Sequence, residues 1–140
     1  MTGNPQSPVI AALGRALLAT DATLRRTQLA HWNVTGPQFF GLHAALESQY
    51  HNLFGALDDL AERIRALGAQ VSSDYVSAPG KPVGDGDVID ELVQTHDEAV
   101  EAFKAASAIA AETGDEVTAG MILDRLEFHQ KTLWMLKATR

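Results

Sequence analysis

The sequence predicts an all-α fold, a four-helix bundle with one long crossover between its second and third helices. Three observations lead there. Apolar residues recur at three- and four-residue steps along most of the chain. No segment alternates apolar and polar residues over a strand's length. The pattern is interrupted at only a few places, by Gly36-Pro37, by Gly68 and by Gly114.

A first helix is expected over about 8–34, where Ile10, Leu13, Leu17 and Leu24 share a face after a Ser7-Pro8 start. Gly36-Pro37 ends it, because proline lacks the amide hydrogen that a continuing helix needs. The second helix is expected over about 39–68, with Leu42, Leu46, Leu53, Leu57, Leu60, Ile64 and Leu67 on one stripe and Gly68 as its stop. Residues 69–87, rich in Ser, Gly, Pro and Asp, form the crossover. A third helix over about 87–113 carries Ile89, Leu92, Val93, His96, Val100 and Phe103. Thr113-Gly114-Asp115 turns the chain, and a fourth helix over about 115–138 carries Val117, Ile122, Leu126, Leu133 and Leu136. Two long helices, a crossover and two more helices are the order of a four-helix bundle.

Composition narrows the function. A chain of 140 residues is expected to be one domain with a core that needs no staples. Cysteine is absent, which excludes disulfides, thiolate metal sites and thiol catalysis. Residues 1–8 show neither a basic nor an apolar leader segment, so a cytoplasmic location is expected. No apolar run approaches the ~18 residues that would span a membrane. The net charge is −7, residues 1–14 contain no Lys or Arg, and only four lysines occur in all. Phosphate neutralisation supplies most non-specific DNA affinity, so DNA binding is expected to be weak or absent.

The chemistry gathers around His31, His43, Glu47, Asp58 and Glu62. With His43 as zero on the second helix, Glu47 falls near ~40°, Asp58 near ~60° and Glu62 near ~100°. The leucine stripe centres near ~280°, so this acidic face points away from the bundle's own core. Yet His43 and Asp58 lie ~22 Å apart along the axis, too far to share an ion. An antiparallel copy across a two-fold axis would bring its Asp58 and Glu62 to this His43, giving two sites per dimer. Phe54, near ~20°, and the small residues Ala44 and Gly55, at ~100–120°, fit an interface better than a wet surface.

His31-Trp32-Asn33-Val34-Thr35-Gly36, Phe39, Leu42-His43, Glu47, Asp58 and Glu62 together resemble the Dps family (DNA-binding proteins from starved cells, the miniferritins). Trp134-Met135-Leu136-Lys137 resembles the family's closing helix, so the likeness spans essentially the whole chain. It implies a hollow homododecamer that oxidises Fe(II), preferably with hydrogen peroxide, and stores ferric mineral. The resemblance gives His31 and His43 to one subunit and Asp58 and Glu62 to its two-fold mate, with Glu47 helping to bind a second iron. Trp32 matches a tryptophan beside the ferroxidase site, either as an electron donor to stray oxidant or as interface packing. Zinc is an expected competitor for the same nitrogen and oxygen donors.

Other positions depart from the family or carry less. Asp115 and Glu116 match the acids that line ferritin-like three-fold pores, while Gly120 stands where another Asp is common. Asp124 and Glu127 read as solvated helix acids, with compensation for Gly120 at the pore as the alternative. His96 and His129 fall on apolar stripes and read as core histidines with satisfied hydrogen bonds. His51, near ~80° on the acidic face, reads as an interface hydrogen-bonder, with an auxiliary iron ligand as the alternative. None of the five histidines has a Glu three residues before it, which excludes a di-iron oxidase site inside one bundle. A shell-forming DNA scaffold without ferroxidase chemistry is the remaining rival.

Overall fold

A computed structural model describes residues 7–75 and 87–139. Four helices account for most of them: α1 (Ser7–Asn33), α2 (Phe39–Ala66), α3 (Val88–Glu112) and α4 (Glu116–Ala138). A single 3₁₀ turn, Ser73–Tyr75, lies in the crossover between α2 and α3. There is no strand among the described residues. No described helix is long and apolar enough to cross a membrane.

The helix ends follow from local chemistry. Gly68, at φ +97°, and Gly114, at φ +72°, take the left-handed conformation that a side chain opposes. Beyond Gly68 the Ala69 amide returns to the Ile64 carbonyl at 3.2 Å, and beyond Gly114 the Asp115 amide returns to Ala110 at 3.0 Å. These six-residue closures satisfy carbonyls that the last helical turn would leave without donors. At the other ends, the Asp87 carboxylate accepts from the Ile89 amide at 2.7 Å to cap α3. Asp115 does the same for α4, accepting from the Thr118 amide at 3.1 Å.

α1 packs against α2 and α3, and α3 packs against α4. The apolar core falls into two clusters. One contains Val9, Leu13, Leu17, Leu60, Ile64, Phe103 and Ile122. The other contains Leu46, Ile89, Leu92, Val100, Leu133 and Leu136. Each buried leucine or phenylalanine contributes roughly 1.5–3 kcal/mol by leaving water. Buried polar residues lie near where the two clusters meet: Thr20, Thr23 and Thr27 on α1, Gln49 on α2, His96 on α3 and His129 on α4. The threonines turn their hydroxyls back onto their own helix at 2.7–2.8 Å. The Nδ1 atoms of His96 and His129 meet at 2.8 Å.

That pair is only half satisfied, in contrast to the expectation of fully bonded core histidines. The Nε2 atoms of both rings are buried without a partner among the described residues. Two nitrogens can share one hydrogen only if one ring donates and the other accepts, so the two tautomers must differ. Burial and the Arg125 guanidinium push His96 down to about 4. Burial, His96 and Arg125 push His129 down to about 2. Both rings are therefore neutral at physiological pH.

Candidate metal centre

The turn between α1 and α2 folds His31 and His43 face to face. Their rings stack with centroids 3.7 Å apart and planes 15° from parallel. His31 Nδ1 donates to the His43 carbonyl at 2.8 Å, and His43 Nδ1 donates to the His31 carbonyl at 2.7 Å. A carbonyl oxygen only accepts, so each Nδ1 must carry the hydrogen. Each Nε2 is then left with its lone pair available. This reciprocal bonding fixes tautomer and ring direction together, as a second-shell carbonyl does for metal-ligating histidines.

Aromatic rings hold the pair from both sides. Phe39 stacks on His43 with centroids 4.9 Å apart, and Tyr50 meets His31 edge-on at 5.2 Å. Sequence reasoning missed Tyr50 in this role and noted Phe39 only as a motif residue. The signal was there: Phe39, His43 and Tyr50 stand four and seven positions apart, on one face of α2. His31 is 7% exposed, so its ring is almost wholly packed.

The carboxylates are elsewhere. Glu47, Asp58 and Glu62 are exposed on α2. The rise from His43 to Asp58 along that helix is ~22 Å. Among the described residues no group of three His, Asp or Glu side chains lies close enough to hold an ion. One chain thus supplies two oriented nitrogens at one end of the face and two acids at the other. Around them Phe54, at 63%, stands exposed, an arrangement that is costly unless another surface covers it. Trp32 projects 63% exposed next to His31 in sequence, one helical step around from the buried ring.

Asp115 is not a free acid. Its side chain is 7% exposed and lies 3.1 Å from the Arg63 guanidinium. The Thr118 hydroxyl donates to it at 2.6 Å. Burial alone would push its carboxyl up; the Thr118 hydroxyl and amide bonds and the Arg63 charge outweigh that and hold it below its usual value. The expected pore acid is therefore committed to capping α4 and pairing with α2. Glu116, the next residue, is exposed. Arg63 thus finds its acidic partner within the chain.

Known proteins place this arrangement. The family model of the ferritin-like domain matches residues 10–140. The DNA protection during starvation protein of Brevibacillus brevis is 36% identical over 117 residues, spanning 77% of this chain and 78% of that protein. The chain belongs to the Dps family. Dps from Thermosynechococcus elongatus superposes with a TM-score of 0.88 at 28% identity, over 96% of this chain and 91% of that one. Dps from Vibrio cholerae O1, described as a member of a broad superfamily of ferritin-like diiron-carboxylate proteins, gives 0.85 at 30% identity, over 96% and 89%. This Dps chain carries its histidine pair at the α1–α2 turn and its acids on an open face of α2.

Proposed function

We propose that this chain forms a homododecameric shell that oxidises Fe(II), preferably with hydrogen peroxide, at sites shared by two-fold-related subunits. Ferric product is stored as mineral inside. The observation that carries this reading is the crossed His31–His43 pair, which leaves two neighbouring Nε2 atoms free and pre-aimed. Imidazole nitrogen with carboxylate oxygen suits Fe(II), and a sparse donor set leaves room for an oxidant.

In this scheme His31 binds the tighter iron together with Asp58 of the partner subunit and Glu62 of the partner subunit. His43 and Glu47 hold the second, more weakly. The two Fe(II) ions supply the two electrons that convert hydrogen peroxide and two protons into two waters, leaving two Fe(III). Pairing the irons keeps the reduction from stopping after one electron, where hydroxyl radical would be released. Trp32 either gives up an electron to stray oxidant or packs the subunit interface. Zinc competes for the same donors. Glu116, exposed at the start of α4, is the better placed of the two proposed pore acids for drawing in cations.

Protection of DNA is then chemical and cytoplasmic rather than by coating. With a net charge of −7 and no basic residue before Arg15, the subunit offers little to phosphates. The test is anaerobic Fe(II) loading of protein sized by light scattering, followed by one addition of hydrogen peroxide. Rapid ferric absorbance with little hydroxyl radical, in a particle near twelve subunits, is the expected result. Slow oxidation, or radical yield equal to protein-free iron, overturns the reading in favour of a scaffold. Shared sites are tested by mixing Asp58→Ala and His31→Ala subunits, which are each defective alone. Mixed dimers should regain about one competent site of two, since one site then joins an intact His31 to an intact Asp58 and the other has lost both.

A further inference from the structure

We propose that His51 and Glu47 of two subunits also form a bridging metal site on the two-fold axis itself, suited to zinc or a similar divalent cation. This rests on the two-fold reading above. If His43 of one α2 meets the partner's Asp58 and the partner's Glu62, the axis passes midway between those positions, at about residue 51 or 52. His51 therefore faces its own copy. On the helical wheel it lies near ~80°, within ~30° of the middle of the face that carries His43, Glu47, Asp58 and Glu62.

The local geometry is that of a chelate. His51 is 68% exposed, and its Nε2 stands 3.9 Å from Oε1 of Glu47, one turn earlier on α2. Side chains at i and i+4 of a helix converge on one point, and a two-fold axis duplicates them. Two imidazole nitrogens and two carboxylates result, the donor types and the number that tetrahedral zinc takes. Packed helices lie ~8–10 Å apart, a gap that two histidines reaching from opposite sides readily span. None of the described residues obstructs that approach at Gly55, where an added Cβ would meet none of their atoms within 4 Å. Glu47 sits one turn from His43 and one turn from His51, between the iron-oxidising site and the bridge.

Zinc itself is the probe. Metal-free shell is dialysed against Zn(II), and retained zinc is measured per protein for the parent and for His51→Ala. The parent should hold about one more zinc per two subunits than the variant, the stoichiometry of a site on the axis. Zinc should also raise the thermal midpoint of the parent shell and not of His51→Ala beyond what the shared iron donors give both. Iron oxidation by His51→Ala should match the parent. Equal zinc content overturns the bridge, and so does a difference of one zinc per subunit, which would put the site inside one chain. Should His51→Ala not assemble, His51→Gln gives the same comparison. Restored oxidation in the mixed Asp58→Ala and His31→Ala shell without any zinc difference refutes the bridge alone. Absence of restored oxidation refutes the two-fold arrangement beneath it.

Discussion

Lowering the pH should destabilise this protein through one identifiable pair of rings. His96 and His129 are fully buried and share a single hydrogen, and their values fall from 6.5 to about 4 and about 2. Released by unfolding, both rings return to the ordinary value, so below pH 6.5 the unfolded chain binds more protons than the native one. Stability from this source is fully present above ~6.5 and is lost as pH falls toward the native values. Each histidine costs ~1.4 kcal/mol per pH unit in that window, so the pair costs at most ~4 kcal/mol between pH 6.5 and 5. That is a large share of a typical ~5–15 kcal/mol total. The comparison is with His96→Leu/His129→Leu, which replaces both partners by apolar side chains and leaves no half-bonded ring behind. Urea unfolding is followed by far-ultraviolet circular dichroism at about pH 7, 6 and 5, at fixed subunit concentration because assembly shifts the apparent stability. Surface and interface groups titrate equally in both proteins, so the difference in slope isolates the pair. If the double variant loses as much stability on acidification as the parent, the pair is not the acid-sensitive element and the reasoning fails.

Two further outcomes follow from the packing. A Cβ at Gly14 would stand 2.2 Å from the Tyr75 ring, so Gly14→Ala must displace that ring and loosen the crossover from α1. A cost of about 1–3 kcal/mol and faster proteolysis between α2 and α3 are expected, with helix content unchanged; unaltered cleavage would show that Tyr75 does not tie the crossover down. Asp115→Ala removes the α4 cap and leaves Arg63 without its 3.1 Å partner, for a loss of about 1–2 kcal/mol in urea unfolding, and Asp115→Asn should recover the capping share alone.

Much of the fold was legible because each signal was local. The leucine stripes of α2 and the stops at Gly68 and Gly114 need only helix period and glycine's freedom to take positive φ. The exposed direction of Glu47, Asp58 and Glu62 follows from the same wheel. What escaped the sequence depends on how helices pair. His96 and His129 stand 33 residues apart, and no periodicity says that their rings meet while both Nε2 atoms find no partner among the described residues. Asp115 looked like a pore acid because its position matched one. Its engagement with Arg63, 52 residues away, appears only when α2 lies beside the start of α4. Tyr75 filling the place of a side chain at Gly14 belongs to the same class. The crossed bonds of His31 and His43 were within reach, since the twelve-residue spacing brackets a Gly-Pro turn, but their reciprocity is a property of main-chain geometry.

That reciprocity ties the proposed iron chemistry to helix termination. α1 ends at Asn33, so the His31 carbonyl is among the last four, for which the helix itself provides no donor. The His43 imidazole provides one at 2.7 Å. The ring that aims a nitrogen outward thus also seals the end of the preceding helix, while its neighbour donates to a carbonyl already inside the next one. His43→Ala would therefore fray the corner of the bundle as well as remove the proposed metal donor, so any loss of iron oxidation would overstate the worth of that nitrogen. A replacement that keeps a donor toward the His31 carbonyl but offers no ring nitrogen outward, such as His43→Gln, separates the two debts.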